Sequence, residues 1–394
     1  MKTKLFAGID VGKEKHIVVV KDGNYKILES FGFKTDYRGF NELAKRVPAA
    51  AVIGLEATNE YDKPLVNFLK NKGYEVYVFN PRKTKSFAKV NHIATKTDKV
   101  DAKILADFMV MGFHKTQKQF TNKYPEVRQL TRARMKLVLD QNKHKARVLN
   151  RLYVVFPEYE SLFSENFGVT FTKLLEEYIC PENFSALDAE KLGKEMITLS
   201  KGILREDRAR KIIETAKQSV GVRNKVEGYL EEIKINLKYI QELEKDIRRL
   251  DRKIREKMMA VDQKLTTIKG IDTSLAATII SEIGEIGKFK NRRALFNFTG
   301  IVPTIKETGN YKRHTNHMSK HGSKYLRTAI WQAAISCINH NKVFRMYFIK
   351  KHNIDKKTKM TAVGAVCRKL TYQIYRIMKY NEPFDMDKAA YVSI

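Results

Sequence analysis

The stretch Lys4-Leu5-Phe6-Ala7-Gly8-Ile9-Asp10 sets the reading of the N-terminal fold. Its apolar run has the length of a buried strand, and it ends in a carboxylate. Gly12 permits a turn, His16 to Lys21 reads as a second strand, and a third follows from about Tyr25 to Phe33. Asp22-Gly23 between the second and third β-rich runs is a hairpin signal, so the chain is expected to begin as an antiparallel meander. Onward, a helix over about Tyr37 to Arg46 leads to Ala51-Val52-Ile53-Gly54-Leu55-Glu56, another apolar strand closed by an acid. A helix over about Tyr61 to Lys72 and a fifth strand over Tyr74 to Phe79 follow, with Asn80-Pro81 marking the exit.

A second stretch supplies partners for those two acids. Thr97-Asp98-Lys99-Val100-Asp101-Ala102-Lys103-Ile104-Leu105-Ala106-Asp107-Phe108 opens a predicted helix with carboxylates at i and i+3, on one face. Val100, Ile104, Leu105 and Phe108 give that helix an apolar stripe toward a core. Alone, two acids in a first turn answer the helix dipole. Together with Asp10 and Glu56 at the ends of the first and fourth strands, they describe a ribonuclease-H-like α/β fold with four converging carboxylates. Such a cluster repels itself unless divalent cations neutralise it, and oxygen-only ligation suits Mg²⁺ or Mn²⁺. Two-metal phosphoryl transfer is the chemistry it serves.

Composition points to the partner. Among 394 residues, 75 Lys and Arg against 44 Asp and Glu give a net charge of +31, which calls for a polyanion. An anionic membrane surface is the competitor, but the basic residues run through the whole chain instead of gathering in one amphipathic helix. Nucleic acid is therefore expected. The three cysteines, Cys180, Cys337 and Cys367, form no CxxC pair, so neither a disulfide framework nor a structural zinc site is suggested. The run Met1 to Val20 is broken by Asp10, Lys13, Glu14 and Lys15 and reads neither as a signal peptide nor as a membrane span. A cytoplasmic protein is expected. Hydrophobic residues at 43% suffice for two or three compact units.

The remaining segments fit that partner. Arg82, Lys83 and Lys85 begin a basic segment, read as a loop, that runs to Thr97 and would touch phosphates. A long basic helix is expected from Glu126 to Val155, laid along a nucleic-acid backbone, and Ser161 to Ser219 reads as irregular helix. Ile233, Ile240, Ile247 and Ile254 recur every seven residues, the seam of a coiled coil formed with a second protomer or with another helix of the chain. Around Gly270 a turn leads into an apolar helix capped by Asp272 or Thr273, a helix-hairpin-helix that could present N–H groups to a phosphate or be an ordinary capped turn. Finally Gly309 to Ala334 is a basic, glycine-punctuated loop entering a helix. Its serine is flanked by Arg313, Lys320, Lys324 and Arg327, suited either to attack on phosphorus or simply to phosphate contact.

The four acids together with Met318-Ser319-Lys320-His321-Gly322-Ser323-Lys324-Tyr325-Leu326-Arg327 resemble the one-ten family of insertion-sequence transposases. The resemblance spans nearly the whole chain. It implies an α/β plus α architecture: a RuvC-like DEDD domain with a trailing basic helix over 1–157, a helical linker and coiled coil over 158–260, and a mainly helical C-terminal transposase domain over 261–394. It implies that Asp10, Glu56, Asp98 and Asp101 ligate metal and that Ser319, the serine before Lys-x-Gly, is the nucleophile. The family's usual Lys-Arg-Gly is here Lys320-His321-Gly322, and Ser323 stands four residues on as the rival. It further implies a recombinase acting on donor and target DNA, guided by a structured bridge RNA, with a composite centre built in a dimer or tetramer. Two other readings of the chain are a hydrolytic junction resolvase and a non-catalytic nucleic-acid-packaging protein.

Overall fold

The computed structural model describes residues 4–57, 60–93, 95, 97–116, 122–203, 206–304, 307–308, 311–312 and 317–391. They fall into two compact units, 1–120 and 121–394.

In the first unit β1 (Phe6–Val11), β2 (Lys15–Lys21) and β3 (Ile27–Lys34) form the antiparallel meander. The turn before β3 is wider than an Asp-Gly hairpin. Asp22 Oδ1 accepts from the backbone N–H groups of Asn24 and Lys26, and Tyr25 takes φ +66°, which delays the strand to Ile27. α1 (Tyr37–Arg46) starts where Asp36 caps Gly39 N at 2.7 Å. β4 (Val52–Glu56), α2 (Asp62–Asn71) and β5 (Glu75–Phe79) follow, giving a mixed sheet of order β3-β2-β1-β4-β5 in which β1, β4 and β5 are parallel.

The basic segment after Phe79 is not the expected loop. Asn80 caps Arg82 N, Pro81 occupies the first turn, and α3 (Pro81–Val90) results. Asn followed by Pro is itself a helix-start signal, and it outweighs the polar composition. α4 (Asp98–Val110) begins at its Thr97 cap.

Side-chain alternation divides the sheet. Ala7, Ile9, Ile53 and Leu55 face the core with α1 and α2, whereas Phe6, Val52 and Phe79 face α4 through Leu105, Phe108 and Met109.

The second unit is helical. α5 (Pro125–Val155) packs along α10 (Glu227–Met259). Glu126 pairs with Lys257, Arg134 with Asp251 and Arg151 with Glu232, so the two helices run antiparallel. All four seam isoleucines are buried within this one chain, so the facing helix is α5 and the seam itself needs no second protomer. The same pairs occupy two cations of α5, Arg134 and Arg151, that the sequence assigns to a nucleic-acid backbone.

Between the two long helices lie α6 (Val169–Tyr178), α7 (Pro181–Ser185), α8 (Ala189–Ser200) and α9 (Glu206–Lys217), which close a core with Phe156, Tyr159 and Leu237. Beyond α10 come α11 (Thr273–Ile283), α12 (Arg292–Thr299), the short pair β6 (Glu307–Thr308) and β7 (Tyr311–Lys312), α13 (Lys324–His340), α14 (Lys342–Ile349), α15 (Lys359–Tyr380) and α16 (Met386–Tyr391). Ile254, Ile279, Leu295, Ile330 and Leu370 anchor their common core. Among the described residues no helix is long and apolar enough to cross a membrane.

Candidate active site

The acids converge because of strand parity and one glycine. Phe6, Gly8 and Asp10 share the α4 side of β1, and Val52, Gly54 and Glu56 share it on β4. The register pairs Ile9 with Leu55, so Asp10 and Glu56 lie one step further on, at the same edge of adjacent parallel strands. α4 crosses β1 at Gly8, where a Cβ would stand 2.1 Å from Ala102 O and 2.5 Å from Ala106 N. Only glycine admits this approach, which sets Asp98 and Asp101 one turn before the crossing. Lys21 of β2 fastens the other end of α4 through a buried ion pair with Asp107.

Electrostatics report the convergence. The Asp10 carboxyl is pushed up to about 6 by burial, then by the charges of Asp101, Asp98 and Glu56 in that order. Glu56 also accepts a 2.7 Å hydrogen bond from the hydroxyl of Thr84, a buried residue of α3. Arg82, Lys83 and Lys85 stand exposed around Thr84 on that helix. Among the described residues no group of three or more acids, histidines or cysteines is closed to metal-binding distance. An all-oxygen set in which three acids add to the raised proton affinity of Asp10 nonetheless fits a hard divalent cation.

The serine segment is held by backbone. Residues 317–320 run antiparallel to 300–304: Thr304 N donates to His317 O at 2.8 Å, Ser319 N to Val302 O at 2.8 Å and Lys320 N to Gly300 O at 3.0 Å. Lys320 takes φ +53° and its side chain is exposed. Gly322 is obligatory, because a Cβ there would meet Phe298 O at 1.7 Å. That contact gives the spacing from Ser319 to Gly322 a physical reason: the loop closes onto the end of α12.

Ser323 has other work. Its Oγ caps α13 by accepting from Leu326 N and donates to Glu282 Oε2 at 2.8 Å. Glu282 is fully buried in α11 and receives Arg132 Nε at 2.5 Å and Arg128 Nη2 at 3.3 Å. Burial alone would push its carboxyl up, but the bond from Arg132, the charges of Arg128 and Arg132 and the bond from Ser323 hold it below the usual range. Lys324 is exposed. Arg327 turns inward, with Nη1 buried, without a hydrogen-bond partner among the described residues, and 2.9 Å from where a Cβ on Gly300 would lie. Arg313 lies outside the described residues. Gly270 takes φ +105° and a Cβ there would stand 2.8 Å from Cys337 N, so close packing on α13 accounts for this glycine.

Two family profiles match the chain. One, described as a transposase of the DEDD IS110 type, covers residues 7–157. The other, described as the transposase IS116/IS110/IS902 family, covers residues 262–348. The chain belongs to the IS110 family of transposases.

The first match contains all four acids and the second contains Ser319. Similar curated proteins include the pilin gene-inverting protein of Moraxella bovis, 26% identical over 121 residues, 31% of this chain and 38% of that protein. An insertion element IS110 uncharacterized 43.6 kDa protein of Streptomyces coelicolor is 27% identical over 84 residues, 21% of this chain and 20% of that one. A putative transposase of Sinorhizobium fredii is 30% identical over 77 residues, 20% of each chain. The matches thus span at most about two-fifths of these relatives' length.

Sequence reasoning missed Thr84, hidden in a segment read as loop, and Glu282. The latter had a signal, a single acid inside the apolar run Ala276 to Ile283.

Proposed function

We propose that this IS110-family protein is a DNA transposase or recombinase that cuts and rejoins DNA through a composite site. Its acids are Asp10, Glu56, Asp98 and Asp101, and its nucleophile is Ser319. The observation that carries the reading is the placing of Asp10 and Glu56 at the same edge of adjacent parallel strands beside the start of α4, where burial and then the charges of Asp101, Asp98 and Glu56 raise Asp10 to about 6. The strand order, with acids on the α4 side of β1 and β4, supports a RuvC-like, ribonuclease-H-like fold for the first unit. When bound, Mg²⁺ or Mn²⁺ on these carboxylates supplies neutralisation of the charge that develops on the transferring phosphoryl oxygens. Ser319 Oγ attacks phosphorus, the bond from phosphorus to the leaving sugar oxygen breaks, and the hydroxyl proton passes by way of water to that oxygen. The phosphoserine ester keeps the bond energy, and attack by a second strand's sugar hydroxyl reverses the step with a new partner. Ser319 is favoured over Ser323 because Ser323's hydroxyl already caps α13 and donates to Glu282.

Donor and target DNA, a structured guide RNA and a homo-oligomer that brings Ser319 to the acids complete the proposal, and the protein works in the cytoplasm. The excess of 75 basic over 44 acidic residues supports the two polyanionic partners. Strand exchange between two plasmids carrying the element's ends, with the RNA encoded beside the gene supplied or withheld, tests it. Exchange that needs the RNA, Mg²⁺ and Ser319 is expected. Products with free ends, formed equally by Ser319→Ala, would favour hydrolysis by a junction resolvase.

A further inference from the structure

The second unit holds a groove that the recombination chemistry above does not use. It measures about 2010 Å³, lies among α12 to α16, and reaches Val302, Pro303 and Met318, the residues next to Ser319. Eight Lys and Arg residues line it against a single acid, Asp387, among the described residues.

One of the eight is unusual. Lys369 is 4% exposed yet lines the groove, and among the described residues no carboxylate pairs with it. Its ammonium group lies 4.8 Å from the centroid of the Tyr347 ring. Burial, and then the charge of Lys350, push its pKa down. A buried ammonium without a counter-ion is costly, and a cation–π contact offsets only part of that cost. An anion entering the groove would complete it.

The floor is apolar. Trp331 and Met318 line it beside Met346 and Met360, which are 57% and 63% exposed. One rim is a π-helical turn, Lys350–Ile354, a geometry that recurs at functional sites. A duplex presents phosphates at this scale and would leave the apolar floor in water. An unpaired strand brings both phosphates and base faces, which matches cations above an aromatic and thioether surface.

We propose that this groove binds an unpaired nucleic-acid strand, with Lys369 anchoring a phosphate and Trp331 against the bases, beside the segment that carries Ser319. The inference deepens the transposase reading and rests on it only for the strand's relation to Ser319.

Trp331 is the only tryptophan of the chain, so its emission reports occupancy without a label. Full-length protein in EDTA, where no recombination takes place, is titrated with a short single-stranded DNA, the same sequence as RNA, and the DNA duplex. A saturable change in emission with one or both single strands, weaker with duplex, is expected, and the better strand identifies the source. Lys369→Met should weaken binding about tenfold and lower the slope of log affinity against log salt by about 0.7. Lys369→Arg should restore both. If Lys369→Met does not fold by circular dichroism, the exposed rim variant Lys357→Met should still lower the slope.

Unchanged Trp331 emission at saturating strand would overturn the proposal. So would equal response to duplex, full affinity in a folded Lys369→Met, or preference for an acidic peptide or anionic vesicles over every nucleic acid. Because the titration involves no strand exchange, failure of the recombination chemistry leaves its outcome untouched.

Discussion

The acids of the first unit and the serine of the second are fixed by different means. Asp10 and Glu56 sit on adjacent strands in strict register, and Asp98 and Asp101 open a helix pressed onto β1 through Gly8. Regular elements thus force like charges together, at an electrostatic cost visible in Asp10. Ser319 rides instead on a short segment tied to residues 300–304 by backbone hydrogen bonds and closed by Gly322, while the buried Glu282 knot secures the helix that follows. The first arrangement is a negative site in need of cations, and the second stands among cations in need of a polyanion. A phosphodiester with divalent metal would answer both requirements, as the proposed function holds.

The largest effects are expected at the acids. Asp98→Ala or Asp101→Ala should reduce strand exchange about 10³-fold while binding of DNA persists; exchange within tenfold of wild type would detach these acids from the reaction. Next in size, Glu282→Ala strands Arg128, Arg132 and Ser323 and should destabilise the second unit by about 3–5 kcal/mol in urea unfolding. Because the native carboxyl is held low, its contribution is present above the unfolded value near 4.5 and is lost as pH falls through the lower folded value. Wild type should therefore lose this stability on acidification and Glu282→Ala should not. A smaller effect is expected at Gly8→Ala, whose Cβ must displace the backbone of α4. About 1–3 kcal/mol of stability should go, together with a disproportionate share of Mg²⁺-dependent exchange. Unaltered exchange would mean that the helix approach does not set the acid geometry.

The smallest effect has the opposite sign. The native state holds the Asp10 proton up to about 6, whereas the unfolded chain releases it near 3.8. Stability from this group is therefore complete below 3.8 and declines as pH rises through 6. With metal chelated at pH 7.5, Asp10→Asn should stabilise the first unit by about 1 kcal/mol, a value reduced for the group's partial exposure, or roughly 4 °C in Tm. At pH 3.5 the gain should vanish. Saturating Mg²⁺ should reverse the order at pH 7.5 by stabilising wild type alone.

The sequence made the sheet legible because local rules and tertiary needs agree there. The helices after Asp36 and Thr97 begin where expected, each capped by that side chain, and an acid stands at the end of each of two apolar strands. It made α3 illegible because the cations of its exposed side masked an Asn-Pro start. The heptad isoleucines require a facing helix without saying which, and α5 supplies it from about a hundred positions away. Thr84 on Glu56 and Arg132 on Glu282 are likewise long-range contacts that no local pattern encodes. The spacing that singles out Ser319, the proposed nucleophile, has a structural basis in Gly322, which closely approaches Phe298 O.

In the proposed mechanism serine and acids form one phosphoryl-transfer centre. Its most direct measurement is a denaturing gel of the recombining complex, made with DNA whose leaving group traps the cleaved strand, followed by peptide mass mapping of any protein–DNA adduct. An adduct on Ser319 is expected that is absent from Ser319→Ala, absent from Asp101→Ala and retained in Ser323→Ala. Cleaved DNA with free ends and no adduct, or an adduct that survives Ser319→Ala, would contradict it.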